Sequence, residues 1–386
     1  MYIILTLDWL FFGVLGLTTL YLFVFSLFSL KKTKLQIKKS SQQSKFVVLF
    51  PAYMEDEVIV KSINSFQDQT YDKSNYKVVV IADKLQDETI SQLEPFDIDI
   101  LQVNFENSTK AKALNHAMLQ LDTDSFDVVV ILDADNEVEA SFLEDINDAY
   151  QSGFKVIQAH RVAKNYNTST AILDAISEEI NNSIFRKGHV NAGLSSALIG
   201  SGIAFDINCF IKLIKNVTSV GEDKELELAL HTENIFIQYF ENIYVYDIKT
   251  DTNAGFQKQR QRWLSAQFQM LTVAIKQLNR VYKLVSWDYW DKLFQWTMLP
   301  RVLAYISILI LAVFTSFFFP VLALKWWLLF LLFSLAMFFA IPGRLYNIQL
   351  LKAIPNIPIL CVMMFLNLFQ LKKGAKEFIH TKHSKH

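Results

Sequence analysis

The chain has 386 residues, enough for two domains of ordinary size. Hydrophobic residues make up 52% and charged residues 19%, where a soluble domain carries about a quarter charged, so a disordered or simply soluble chain is excluded and a membrane is implied. The net charge of -1 gives no basic field for nucleic acid; two distant cysteines, Cys209 and Cys361, support neither a zinc site nor a disulfide framework; and no GxGxxG string offers a glycine cradle for phosphate.

Trp9 to Leu30 contains no charged side chain. Twenty-two residues rise about 33 Å as a helix, enough to span a hydrocarbon core of about 30 Å. The run is too long for a signal-peptide core and has no basic region before it, so residues 1–31 are expected to be a retained transmembrane helix. Six lysines lie between Lys31 and Lys45 with no acid among them, which places this flank in the cytosol.

From residue 45 the pattern changes. Short apolar runs at Lys45–Phe50 (ended by Pro51), Lys77–Ala82, Ile98–Val103 and Asp127–Leu132 read as strands. Helical stretches at 57–67, 87–93 and 110–121 lie between them. Alternation of this kind predicts an α/β domain, a mostly parallel sheet with helices on both faces. Such sheets bind ligands beyond the carboxyl ends of their strands.

Acids stand at those ends. Asp83 follows one strand, and Asp133-Ala134-Asp135 follows the most apolar one. Two carboxylates flanking one residue suit Mg²⁺ or Mn²⁺, hard cations that take their remaining ligands from phosphate and water. Ten acids and no Lys or Arg lie between Asp122 and Asp148; Glu139, Glu144, Asp145 and Asp148 read as a solvated face. Further along come Lys110-Ala-Lys112-Ala-Leu-Asn115 opening a helix, Gly200-Ser201-Gly202, Gly221-Glu222-Asp223, and Gln259-Arg260-Gln261-Arg262-Trp263.

Leu264–Val285 mixes apolar and basic residues and reads as an amphipathic interface helix, within a segment 264–300 whose Trp287, Trp290 and Trp296 read as interfacial. Val302–Phe319 and Val321–Ile341, separated by Pro320, read as a membrane hairpin, with Lys325 placed to snorkel. Ala353–Leu371 carries Pro355, Pro358, Asn356, Asn367 and Gln370, and a basic tail follows; it reads as interfacial or re-entrant rather than spanning. His380, His383 and His386 read as a flexible tail, and Cys209 as a buried apolar residue.

The strand-proline start FVVLFPAYMEDE, Asp83, KAKALN, DAD, GSG, GED and QRQRW, in this order, resemble the membrane-bound family 2 glycosyltransferases, including cellulose-synthase-like and hyaluronan-synthase-like enzymes. The resemblance covers about residues 45–270 and implies a GT-A type nucleotide-sugar-binding domain, cytosolic over 32–263, flanked by transmembrane helices with a C-terminal membrane segment over 301–386. It implies donor contacts from Asp83, from Lys110 or Lys112, and from Asp133, Asp135, Gln259 and Arg262; a divalent metal, Mg²⁺ or Mn²⁺, on Asp135 and Asp133; acceptor contacts from Gly200, Ser201, Gly202, Glu222 and Trp263; and Asp223 as general base, with Gly221 where the family has threonine. It further implies a nucleotide-sugar donor, a saccharide or lipid acceptor, and a multi-pass protein of the bacterial cytoplasmic membrane.

The chemistry requires these residue types. Inverting transfer needs a carboxylate to take the acceptor proton opposite the leaving group. A metal and an arginine offset charge on the departing diphosphate, and an indole offers a platform for a sugar face. Trp263 also admits an interfacial reading, Arg260 and Lys258 a headgroup reading, and Asp223 a helix-dipole reading. At most four crossings is small for a pore-forming synthase, which leaves a lipid acceptor, a homo-oligomer or an export partner open. An inactive glycosyltransferase-like scaffold is the reading from another class, and a dinucleotide oxidoreductase lacks its glycine fingerprint.

Overall fold

The computed structural model describes residues 2–33, 37–282 and 285–370. A long apolar helix, α1 (Tyr2–Ser29), precedes the α/β region. That region runs β1 (Phe46–Tyr53), α2 (Ile59–Phe66), β2 (Tyr76–Asp83), α3 (Asp87–Leu93), β3 (Asp99–Val103), α4 (Lys110–Gln120), β4 (Val128–Ile131), β5 (Glu137–Val138), α5 (Phe142–Gln151) and β6 (Val156–Ala163). Next come α6 (Ser169–Asn181), a π-helical turn at Asn182–Gly188, the short α7 (His189–Asn191), β7 (Ile203–Asp206), α8 (Ile207–Ile214), α9 (Glu222–Thr232) and β8 (Gln238–Asp247).

The eight strands form one sheet in the order β3-β2-β1-β4-β7-β6-β8-β5. The first four are parallel, as their apolar runs predict. Beyond them β6 and β8 pair in parallel and run the same way, so the sheet is mostly parallel as expected, with two exceptions: β7 runs antiparallel to both β4 and β6, and β5 antiparallel to β8. The cause is the segment 194–202, which reaches the carboxyl rim, where Gly202 N bonds the Ile131 carbonyl at 2.9 Å, and sends the chain straight back down the sheet.

Side-chain alternation sorts the strands between two cores. Phe46, Val48, Phe50, Val80 and Val130 pack with α2 and α5 on one face, and Val47, Leu49, Val79 and Val129 with α4 and α8 on the other. Coverage on both faces explains why these runs are continuously apolar. Pro51 does not end its strand as expected. Leu132 N bonds the Leu49 carbonyl, so odd positions of β1 face β4, and β4 pairs only as far as Leu49↔Ile131. The missing N–H of Pro51 therefore costs no ladder bond.

Beyond the sheet lie α10 (Asn253–Val281), α11 (Trp287–Thr297), α12 (Arg301–Phe318), α13 (Pro320–Ala340), α14 (Ile348–Ala353) and α15 (Ile357–Leu368). The boundary expected between 263 and 264 falls inside α10, which carries the QRQRW residues and the amphipathic stretch as one rod. Among the described residues, four helical segments are long and apolar enough to cross a membrane: Leu5–Ser29, Arg301–Phe318, Pro320–Ala340 and Ile348–Leu368. The last is interrupted by a 3₁₀ turn at Ile354–Asn356, and Asn367 Nδ2 donates to the Gln257 carbonyl of α10 at 3.0 Å. Leu371, the basic tail and its histidines lie outside the described residues.

Two local expectations change. Trp296 is buried with Leu228, Met270 and Tyr289 rather than interfacial, while Trp287 is exposed. Lys325 does not snorkel: it pairs with Asp8 of α1 and lies 3.8 Å from the Trp9 ring centroid.

Candidate active site

The sheet's carboxyl rim gathers the acids. β1 and β2 each end on a residue in left-handed backbone, Met54 (φ 54°) and Lys84 (φ 57°), so the chain turns sharply just where Glu55 and Asp83 stand. Met54 N bonds the Asp83 carbonyl at 3.0 Å, tying the two ends together. Asp83 is buried, and its Oδ1 has no hydrogen-bond partner among the described residues. Burial pushes its carboxyl above the usual range, against a hydrogen bond from Ser108 and the charge of Lys84.

Asp133, just past β4, is half-buried and donates its N–H to Asn136 Oδ1 at 3.0 Å and to Ser201 Oγ at 3.1 Å. Its carboxylate accepts from Lys110 Nζ and lies 3.9 Å from Arg161 Nη1. Burial alone would raise this carboxyl; Lys110, Arg161 and, further off, Arg262 outweigh burial and hold it low. Asp135 is buried and accepts from Asn136 Nδ2 at 3.1 Å and Ile248 N at 3.0 Å.

Lys110 joins the two sides of the rim. Thr109 caps α4 by accepting from Lys112 N, and the first helical residue then aims its ammonium inward. Besides Asp133, Lys110 Nζ reaches the Gly200 carbonyl and lies 3.8 Å from Glu222 Oε1. Burial disfavours its charge, but Asp133 and Glu222 more than restore it, and the lysine stays cationic. Lys112 points away and donates to the Asn107 carbonyl at 2.6 Å on an exposed flank, so the two lysines are separated.

Gly221, Glu222 and Asp223 open α9. A methyl group on Gly200 would meet Glu222 Oε1 at 3.1 Å, Lys110 Nζ at 3.6 Å and Asp223 Cβ at 3.9 Å. The GSG loop, the lysine and both acids therefore share one small space. Burial, helped by the charge of Asp223 and opposed by Lys110, pushes the Glu222 carboxyl up to about 7. Asp223 Oδ1 accepts from Lys224 N at 2.8 Å. Gly202, at φ 65°, lies under Val245, whose Cγ2 stands 2.8 Å from any added Cβ.

Gln259, Arg262, Trp263 and Ala266 recur at helical spacing on one face of α10. Ala266 meets Gly221, which turns this face toward the start of α9. Gln259 Oε1 is buried without a partner among the described residues. Trp263 is half-buried, with the Arg260 guanidinium 4.5 Å from its ring centroid. Arg260 itself pairs with Asp174 of α6, so it is no headgroup contact.

Three rim residues escaped the sequence reading. Glu55 stands within FVVLFPAYMEDE at a strand end, the same signal that singled out Asp83. Burial, then the charges of Asp135 and Asp133, push its carboxyl up to about 8. Arg161 follows a bulge at Ala159/His160 in β6, which re-aims it between Asp133 and Asp247, at 2.9 Å from the latter. Gln158 receives the N–H of Ile199 at 2.9 Å. Among the described residues, no three His, Cys, Asp or Glu side chains converge to hold a metal unaided. A polar cavity of about 470 Å³, lined by Thr170, Asp251, Asn253, Lys352 and Asn356 among others, shares no residue with this cluster.

Residues 47–209 match the family model for Glycosyl transferase family 2. The match ends before Asp223 and the QRQRW residues. No curated protein matches the chain. Among solved structures, the mannosyltransferase PcManGT from Pyrobaculum calidifontis, in complex with GDP-Man and Mn²⁺, aligns with a TM-score of 0.60 at 14% identity, over 96% of this chain and 97% of that one. This is a likeness of fold. Staphylococcus aureus TarS 1–349 with UDP aligns at TM-score 0.40 and 17% identity, over 61% and 66% of the two chains. Glucosyl-3-phosphoglycerate synthase from Mycobacterium tuberculosis, with Mn²⁺, UDP and glucosyl-3-phosphoglycerate, aligns at 0.38 and 14%, over 58% and 78%. Residues 47–209, on a mixed α/β sheet, are thus similar to a family 2 glycosyltransferase domain, and the match supports a glycosyltransferase.

Proposed function

We propose that the protein is a membrane-attached, inverting glycosyltransferase of the cellulose-synthase-like kind. It moves a sugar from a nucleoside diphosphate, of the UDP-hexose or UDP-N-acetylhexosamine type, to a saccharide or lipid-linked acceptor on the cytosolic face of a bilayer. One observation carries the reading: Lys110 touches Asp133 and the Gly200 carbonyl at once and lies 3.8 Å from Glu222, so donor-side and acceptor-side groups lie within one side chain's reach.

The unpartnered oxygen of Asp83 suits the N–H of a pyrimidine base. A divalent cation fits the acids beyond it. Burial first, and then the charges of Asp135 and Asp133, hold Glu55 largely protonated, and a cation would relieve the part that comes from those charges. Mg²⁺ and Mn²⁺ need only one or two carboxylates when diphosphate oxygens complete the shell. Asp133 and Asp135 would hold the ion, which when bound supplies charge for the departing diphosphate.

Asp223 takes the acceptor proton as the hydroxyl oxygen bonds the anomeric carbon, while the carbon–oxygen bond to the nucleoside diphosphate breaks on the opposite side. Arg262 stands on the Asp133 side to receive the charge, and Gln259 and Trp263 share its helix face. A second reading gives the proton to Glu222, whose carboxyl sits at about 7, the range expected of a working base. Turnover by Asp223→Asn with loss in Glu222→Gln would select it.

The test is metal-dependent hydrolysis of UDP-Glc, UDP-GlcNAc, UDP-GlcA, UDP-Gal and GDP-Man by the detergent-purified chain. Turnover of none of them, with either metal, overturns the proposal. The QxxRW string leans toward a growing polymer and the small membrane block toward a lipid; product length on a gel separates them.

A further inference from the structure

The segment that leads into the GSG string, 195–199, has no regular structure, yet its amides and that of Gly202 are paired one by one. Ser196 N, Ala197 N and Gly202 N bond the carbonyls of Ile237, Phe185 and Ile131 at 3.0, 2.8 and 2.9 Å. The other acceptors are side chains: Asp288 for Ser195 N at 2.6 Å, Glu227 for Leu198 N at 2.8 Å, and Gln158 for Ile199 N. Buried amides need such partners, so the side chains that supply them set the course of the loop.

Two of these contacts lead to one helix outside the α/β region. Asp288 belongs to α11. Glu227, one turn beyond Asp223 on α9, is buried and takes Lys292 of α11 at 2.8 Å. Burial would raise the Glu227 carboxyl, but Lys292 outweighs it and holds the group ionised. Lys292 is equally buried, so neither charge has water as an alternative partner. Lys292 Nζ also donates to Gln295 Oε1 at 2.7 Å, and Gln295 Nε2 to Asp291 at 2.7 Å. Asp291 accepts from Tyr21 OH of α1 at 2.6 Å, and Tyr21 OH meets His189 Nε2 at 2.6 Å.

We infer that α11 is a clamp on the GSG loop, with Asp288 and the buried Lys292–Glu227 pair as positioning residues that set where Gly200 meets Lys110, and that the clamp is anchored to α1 through Asp291 and Tyr21. The clamp stands on the hydrogen bonds; its consequence for transfer rests on the glycosyltransferase reading.

The experiment uses the full chain in lipid nanodiscs, as wild type, Lys292→Met, Lys292→Arg and Asp288→Ala. Amide exchange of residues 194–202 should quicken at least tenfold in Lys292→Met while β1, β2 and β4 keep wild-type protection. Lys292→Arg should restore the loop, and Asp288→Ala should quicken Ser195 and its neighbours alone. UDP affinity should stay within twofold, while sugar transfer falls at least tenfold in Lys292→Met and recovers in Lys292→Arg. Unchanged loop exchange overturns the inference, and so does loss of protection across the sheet, which marks a pair that merely supports the fold. Should Lys292→Met fail to fold, unchanged exchange in Asp288→Ala overturns it alone. A wild type that binds neither UDP nor GDP sinks the glycosyltransferase reading, while the exchange data still decide the clamp.

Discussion

Gly221 and Ala266 stand so close that a methyl group on the glycine would lie 2.7 Å from the alanine Cβ. The contact seats α10 against the start of α9, and with it the helix face that holds Gln259, Arg262 and Trp263. Gly221→Ala is expected to push the helices apart at a cost of about 1–3 kcal/mol. Transfer should fall more than stability does, because Arg262 moves with its helix. Adding Ala266→Gly should restore both. Melting temperature and turnover of the single and double variants check this, and a single variant with wild-type turnover refutes it.

Asp83 is the best test of the donor side. An ionised acceptor bonded to a base N–H is worth about 1.5–3 kcal/mol. Asp83→Ala should therefore weaken UDP binding roughly 10- to 100-fold, read by calorimetry. Unaltered UDP affinity would remove Asp83 from the site.

Glu222 makes stability depend on pH. Its carboxyl sits at about 7 in the fold, against the ordinary 4.5, through burial first and the charge of Asp223 next. Between these values the folded state binds more protons than the unfolded one, so stability falls as pH rises through 7. The loss amounts to roughly 3 kcal/mol at most. Glu222→Gln should match the wild type near pH 5 and melt higher than it at pH 8. Parallel melting curves at every pH would show that Glu222 ionises as it does in water.

On the proposed reading Asp133→Asn and Asp223→Asn should each lower transfer by a thousandfold or more, Asp223→Asn with a melting temperature near wild type and Asp133→Asn with a lower one, because it removes the partner of the buried Lys110. Chelation of divalent metal should do the same reversibly. A fully active Asp223→Asn enzyme leaves Glu222 as the base.

The sequence carried β1, β2 and β4 clearly, because strands buried on both faces must be apolar throughout, as Val78–Ile81 and Val128–Ile131 are, and β3 more weakly, because it is an edge strand that exposes Asp99 and Gln102. It also carried the acids that end β2 and follow β4. It did not carry the direction of β7, which depends on where a loop crosses the rim, nor the strand through Pro51, which depends on where a neighbour stops. Lys110 and Lys112 look alike in sequence; the cap at Thr109 decides which one turns inward. Arg161 was hidden because a bulge, invisible in a string of letters, aims it. The π-helical turn at Asn182–Gly188 has no signature either. It brings Gly188 against the Phe25 carbonyl of α1, a contact that exists only once the two helices meet.

Asp8 pairs with Lys325 and accepts from Trp326 Nε1 at 2.8 Å, although 317 positions separate the two charges in the chain. The ribosome makes the acid first and its counter-ion near the end. At about 5–20 residues per second the interval is roughly a quarter-minute to a minute. The opening helix thus reaches its final seat only after the hairpin has been synthesised, and the strands of the sheet, complete by Asp247, have that wait in which to assemble beside a helix not yet locked. Any product cut short before Lys325 keeps an unmatched acid in an apolar helix, a flaw that quality-control proteases are equipped to detect.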